Sequence, residues 1–226
     1  MTPPDLPSSD STSTAQGRAE SQRTRILDAA QRCFIAHGFH AASISTIAAE
    51  AGISQGLMYR YFNNKRAMIL ALIERQLDAD RRSIGQMPAS LGLVDALLGC
   101  YQLWARGESI GRHDTAIASV ALYAEITAEA QRDPLVAEVL RRHDKAASDS
   151  IQAWLKQHDQ ARGAAIDDAD LHARTLRFRV TVEGLAMRAV RDPDLSPAAV
   201  RGLLEQAVSA VIGQPPEPAL GGPGQR

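Results

Sequence analysis

Apolar residues recur at three- and four-residue intervals in run after run between about residues 21 and 212, and nowhere do they alternate convincingly with polar ones. That spacing lines one face of an α-helix, whereas a half-buried strand needs a period of two. The chain is therefore expected to be all-α. Composition agrees, because alanine is abundant and is the best helix former, while aromatic residues are only 4 %. No internal repeat is visible. A length of 226 residues is enough for one or two domains with cores of their own.

Local punctuation divides the pattern. Residues 1–17 are rich in Pro, Ser, Thr and Asp and read as a disordered tail; residues 214–226, with four prolines and three glycines, read the same way. The first helix is expected to start near Ser21 and to carry Ile26, Ala29, Ala30, Cys33 and Phe34 on one face, with Gly38 as a left-handed C-cap. Ser43 then caps a short helix bearing Ile44, Ile47, Ala48 and Ala51, which Gly52 ends. Ile53 is an apolar plug, and Ser54 caps a third helix running through Phe62. Asn63 and Asn64 break it, and Lys65 opens a long helix with Met68, Ile69, Leu72, Ile73 and Leu77. After a turn around 85–88, further helices are expected over 93–106, 115–132, 134–159, 168–191 and 197–212. Asp133-Pro134 and Ser196-Pro197 each pair a cap with a first-turn proline.

Two short helices joined by a tight turn over 43–62 form a helix-turn-helix pattern. Ala48 is small where the helices cross, and Gly52 supplies the positive φ that a Cβ penalises. Ile47, Ala51, Ile53 and Met58 make the small core between them. Charge is uneven along the chain. Residues 18–66 hold seven Lys/Arg against three acids, although the whole chain is net −1. A basic module on an acidic body fits nucleic-acid contact by one end, and a solvated surface fits it as well.

Catalytic and metal-binding signatures are missing. There is no GxSxG, HExxH, P-loop or dinucleotide glycine turn. The six histidines are scattered, and no cofactor or metal site is expected. Cys33 and Cys100 lack metal-ligand spacing and sit among apolar residues, as reduced buried cysteines do. No apolar run is long enough to span a membrane, and no signal peptide is visible, so a cytoplasmic, non-enzymatic protein is expected.

Residues 26–73 closely resemble the DNA-binding domain of the TetR (tetracycline repressor) family. The matching features are Ile26-Leu27-Asp28-Ala29-Ala30, Phe34, Gly38-Phe39, Ser43-Ile44-Ser45-Thr46-Ile47-Ala48, Ala51-Gly52-Ile53-Ser54, Gly56, Met58-Tyr59-Arg60-Tyr61-Phe62 and Lys65. The close resemblance covers about a fifth of the chain; the remainder fits the family's variable helical domain in length and helical content. It implies an N-terminal three-helix DNA-binding domain over 18–66 and a helical effector-binding and dimerisation domain over 67–213. It also implies DNA contact by Ser43, Ser54, Gln55, Gly56, Leu57, Tyr59, Arg60 and Lys65. Gln55 and Leu57 lie where the family approaches the bases. Tyr59, Lys65 and Ser43 lie where it meets phosphates, and Arg60 suits guanine or phosphate. Many members are polar where this chain has Leu57, so a thymine methyl is the partner expected there.

The same resemblance implies a homodimer through the last two long helices, a double-stranded DNA operator and a small-molecule effector. In the last helix Val200, Leu203, Leu204, Ala207, Val208 and Val211 form an apolar stripe, and in the preceding one Gly184 allows close approach. Candidate pocket residues are Tyr101, Trp104, His113, Tyr123, Glu125, Phe178, Glu183 and Met187. For Glu125 and Glu183, a salt bridge to Arg179 or Arg188 is the competing explanation. The function expected is a sequence-specific transcriptional repressor released by its effector. The alternative is a helical ligand-binding or interaction module without DNA binding.

Overall fold

The computed structural model describes residues 9–85, 90–108, 119–165 and 167–213. Every regular element among them is a helix. They are α1 (Ser9–Ala41), α2 (Ile44–Glu50), α3 (Gln55–Tyr59), α4 (Lys65–Gly85), α5 (Ser90–Ala105), α6 (Val120–Ala130), α7 (Pro134–Ala161), α8 (Asp168–Arg191) and α9 (Pro197–Ile212). The chain forms two compact units. The first runs to Asp78 and takes in Ala121–Arg142; the second holds Ala79–Val120 and the chain from His143 on. The boundaries thus differ from a simple split near residue 66. Met68, Ile69, Leu72 and Ile73 of α4 are buried with α1–α3, and so are Leu122, Ile126, Val136 and Val139.

Three helix ends depart from the local reading. Helix α1 begins at Ser9, so residues 9–17, assigned to the tail, continue the helix. Once the packed stretch from Ile26 to Phe34 has formed a nucleus, each further residue adds a hydrogen bond at little extra ordering cost. At its other end α1 is interrupted at Gly38 (φ 74°, ψ 166°). The positive φ was expected, but this ψ is not that of a left-handed cap; the conformation is open essentially to glycine alone. Helix α3 stops at Tyr59 rather than Phe62, yet Tyr61 and Phe62 both donate their N–H to the Met58 carbonyl at 3.0 Å. The rest of the chain follows the expected divisions closely, and α8 and α9 span the residues anticipated for them. Expected helix residues 115–118 and the tail residues 1–8 and 214–226 lie outside the described residues.

In the second unit α5, α8 and α9 share a core with part of α7. Asp167 caps α8 by accepting the N–H groups of Ala169 and Asp170, and Ser196 caps α9 through the Ala199 N–H. Asp168 and Asp170 in the first turn of α8 and Arg188 and Arg191 in its last complement the helix dipole. Arg174 and Asp159 form a buried pair at 2.7 Å. Val200, Leu204, Val208 and Val211 of α9 are buried in this unit's own core. Those four residues of the stripe thus cover their own core, as the alternative to a dimer face requires, since periodicity identifies an apolar face but not what covers it. The large apolar side chains exposed on these two helices are instead Leu176, Val180 and Val190 of α8 and Leu203 of α9.

Candidate nucleic-acid interface

The first unit builds a helix-turn-helix by local chemistry. The Ser43 hydroxyl accepts the Thr46 N–H at 3.0 Å and starts α2. Helix α2 ends through the Gly52 N–H to Ala49 O and the Ile53 N–H to Ala48 O, both 3.0 Å, with Gly52 at φ 64°. The Ser54 hydroxyl accepts the Leu57 N–H at 3.2 Å and starts α3. Ile47, Ala48 and Met58 are buried between the helices, so α3 is held by its one inward residue. Asn64, read only as a breaker, caps α4 by accepting the Ala67 N–H at 2.8 Å.

This packing turns the remaining residues of α3 outward. Gln55, Gly56, Tyr59 and Arg60 are exposed and Leu57 is half-buried, while Ser43 and Ser54 are exposed at their caps. Tyr59 is 51 % exposed, unusual for so large a ring. A Cβ at Gly56 would meet nothing within 4 Å. The Lys65 ammonium donates to the carbonyls of His40 (3.1 Å) and Ala42 (3.2 Å), which ties the start of α4 to the end of α1. Two of its three donors are thus engaged.

The basic character of residues 18–66 is partly neutralised in the fold. Arg32 pairs with Glu50 at 2.7 Å. Arg66 grips Asp133 through two hydrogen bonds of 2.5 Å. Arg23 lies over the Phe62 ring, 5.2 Å from its centroid. Arg18, Arg25 and Arg60 remain exposed. The hydrogen bonds from Arg66 hold the Asp133 carboxyl at about 2, against an ordinary 3.8. Its contribution to stability is therefore complete above the unfolded value and lost as pH falls from about 4 toward 2. The variant Asp133→Asn retains a good cap for α7. Its stability deficit against the parent, measured by urea denaturation, should be constant near neutrality and should narrow below pH 4.

The candidate pocket residues are divided between the two units. Tyr123 and Glu125 belong to the first unit, and His113 lies outside the described residues. In the second unit the Tyr101 hydroxyl donates to the Asp192 carbonyl at 2.7 Å. Trp104 and Phe178 are buried, with Met187 packed against the same cluster. Glu183 pairs with Arg179 at 3.3 Å, as its competing explanation held. Glu125 does not: its carboxylate accepts the Phe39 N–H at 2.9 Å, a contact between residues 86 apart that no local pattern announces. Among the described residues no three His, Cys, Asp or Glu side chains converge to hold a metal ion. No helix among them is long and apolar enough to cross a membrane.

Comparison with known proteins agrees with this geometry. The model of bacterial regulatory proteins, tetR family, matches residues 26–72, and that of the C-terminal part of BetI-type transcriptional repressors matches residues 108–213. The HTH-type transcriptional regulator UidR of Escherichia coli K12 is 31 % identical over 149 residues, 64 % of this chain and 70 % of that protein. The chain belongs to the TetR family. It is thus a helix-turn-helix transcriptional regulator that binds DNA through its N-terminal module. Among solved structures, Salmonella enterica GusR aligns with a TM-score of 0.64 at 27 % identity, covering 85 % of this chain and 95 % of that one. FadR from Bacillus subtilis, in complex with stearoyl-CoA, shares the TetR-family fold at a TM-score of 0.59 and 20 % identity, covering 82 % of this chain and 97 % of that one.

Proposed function

We propose that this TetR-family protein is a homodimeric repressor that reads a near-palindromic operator with α3 and releases it when the second unit binds a small molecule. The observation that carries the DNA-reading geometry is the outward face of α3. Glycine costs up to about 1 kcal/mol relative to alanine in a helix, and no neighbour among the described residues requires one at position 56. A close outside partner does. Gln55 and Leu57 flank that glycine and serve as base readers; Tyr59, Ser43 and the remaining donor of Lys65 serve phosphates, and Arg60 serves either. Ser54 acts by starting the helix.

The exposed Leu176, Val180 and Val190 of α8 and Leu203 of α9 support the last two helices as the dimer face. Gly184 supports it too, being exposed with no neighbour near its would-be Cβ. Such a dimer presents two recognition helices about 34–36 Å apart to successive major grooves. The effector's seat is assigned to the second unit, with Trp104, Phe178 and Met187 as apolar lining. A C-terminal match to a repressor family supports repression, and FadR with its bound acyl-CoA illustrates a small molecule held by this fold. Intracellular location follows from DNA as partner.

Selection of a duplex from a random library, followed by fluorescence anisotropy at several salt concentrations, tests this reading. Tyr59→Ala should weaken binding to all sequences and leave the salt slope nearly unchanged, because a neutral hydroxyl displaces no counterion. Gln55→Ala should cost about 1–3 kcal/mol on the selected duplex and relax preference at one base pair. Absence of binding at every salt concentration would leave the interaction module as the better reading.

A further inference from the structure

The DNA-reading hairpin is gripped from outside by one row of carboxylates. Glu125 and Glu129 lie one turn apart on α6, and Asp133, at the cap of α7, follows at the same spacing. All three belong to the first unit. Glu125 Oε2 accepts the Phe39 N–H at 2.9 Å. Glu129 Oε2 lies 3.3 Å from His40 Nε2 and 3.5 Å from Arg132. Asp133 accepts from Nε and Nη2 of the Arg66 guanidinium. Phe39 and His40 form the entry to α2, and Arg66 follows Lys65 at the exit from α3. The Lys65 ammonium closes the frame by holding the His40 and Ala42 carbonyls.

The Glu125 contact is the most tightly built of the three. Gly38 leaves the helical conformation at φ 74°, so the N–H of the next residue needs a partner away from the regular helical ladder. Phe39 is buried and its ring stands edge-on to Phe34 at 4.9 Å, so water is a poor substitute. A Cβ at Gly38 would stand 3.2 and 3.3 Å from the two Glu125 oxygens. Gly38 therefore serves twice, by its positive φ and by leaving room for the carboxylate. From Phe39 only His40, Ala41 and the buried Ala42 precede the Ser43 cap.

We infer that Glu125 is a positioning residue for operator reading. By capping the Phe39 N–H it sets the direction in which the chain enters α2, and hence where α3 presents Gln55 and Tyr59. Glu125 takes no part in contacting DNA. The inference rests on α3 as the reading element.

The test compares Glu125→Ala, Glu125→Leu and Glu125→Gln with the parent, using amide hydrogen exchange without DNA and anisotropy on the duplex the parent selects. A neutral acceptor still satisfies Phe39, so the glutamine variant should behave like the parent in both measurements. The alanine and leucine variants should exchange about tenfold or more faster at Phe39 and through α2, with α8 and α9 protected as before. They should bind the duplex about tenfold more weakly with an unchanged salt slope, because no phosphate contact is removed. Parent-like exchange and affinity in the alanine and leucine variants would overturn the inference. So would equal loss of protection everywhere, which marks a merely structural residue, or failure of glutamine to rescue. A parent that selects no duplex would overturn the DNA-reading geometry, and the exchange data alone would then decide whether Glu125 orders the entry to α2.

Discussion

Replacing Met58 with alanine should destabilise the first unit by about 2–5 kcal/mol and take operator binding down with it. Met58 is fully buried and is the one buried residue of α3, a helix of only five residues. So short a helix has negligible stability of its own; its position comes from packing. Truncation to alanine removes the side chain that pins α3 against Ile47 and Ala48 of α2, and it leaves a cavity there. The carbonyl of residue 58 also receives the Tyr61 and Phe62 N–H groups, so loosening α3 loosens the turn that follows it. Urea denaturation gives the stability and anisotropy the affinity. Met58→Leu is the control, since a volume-conserving exchange costs less than about 1.5 kcal/mol and should keep binding. A loss below about 1 kcal/mol in the alanine variant would show that the site refills on truncation and that α3 is held elsewhere.

Asp159→Ala should cost the second unit about 3–5 kcal/mol. Asp159 and Arg174 are 4 % and 8 % exposed, and two hydrogen bonds of 2.7 and 3.4 Å join them. Arg174 Nε also approaches Asp170 at 3.4 Å, but that carboxylate is half in solvent and replaces little of what is lost. The penalty comes chiefly from stranding a buried guanidinium whose charge cannot be neutralised by losing a proton. It should therefore shrink when both partners go. Asp159→Leu combined with Arg174→Met should recover most of the loss in urea denaturation. If the double variant is as unstable as Asp159→Ala, the pair contributes more than it costs to bury, and the argument from desolvation fails.

Caps, turns and helix faces were legible because they are set by chemistry within a few residues. Ser43, Ser54 and Ser196 cap the helices they were expected to cap, and Gly52 has the positive φ its turn demands. The outward residues of α3 follow from the same logic, since Met58 must face in and its neighbours cannot. Family resemblance added the partner of that face, which spacing alone did not name.

What covers each face was settled only by the tertiary structure. The stripe on α9 is apolar whether it meets its own core or another subunit, and here Val200, Leu204, Val208 and Val211 meet their own. Leu176 and Val180 of α8 stay exposed instead. Long-range polar pairings were equally hidden. Glu125 reaches a backbone N–H 86 residues away, and Asp133 reaches a guanidinium 67 residues away. A carboxylate in a helical sequence carries no sign of its partner, because a charge can be satisfied by any donor the fold brings near it. The sequence by itself therefore determined the helices, most of their caps and the outward face of α3. The packing of α6 and the start of α7 onto that hairpin, with the carboxylate row it delivers, was decided by three-dimensional contact alone.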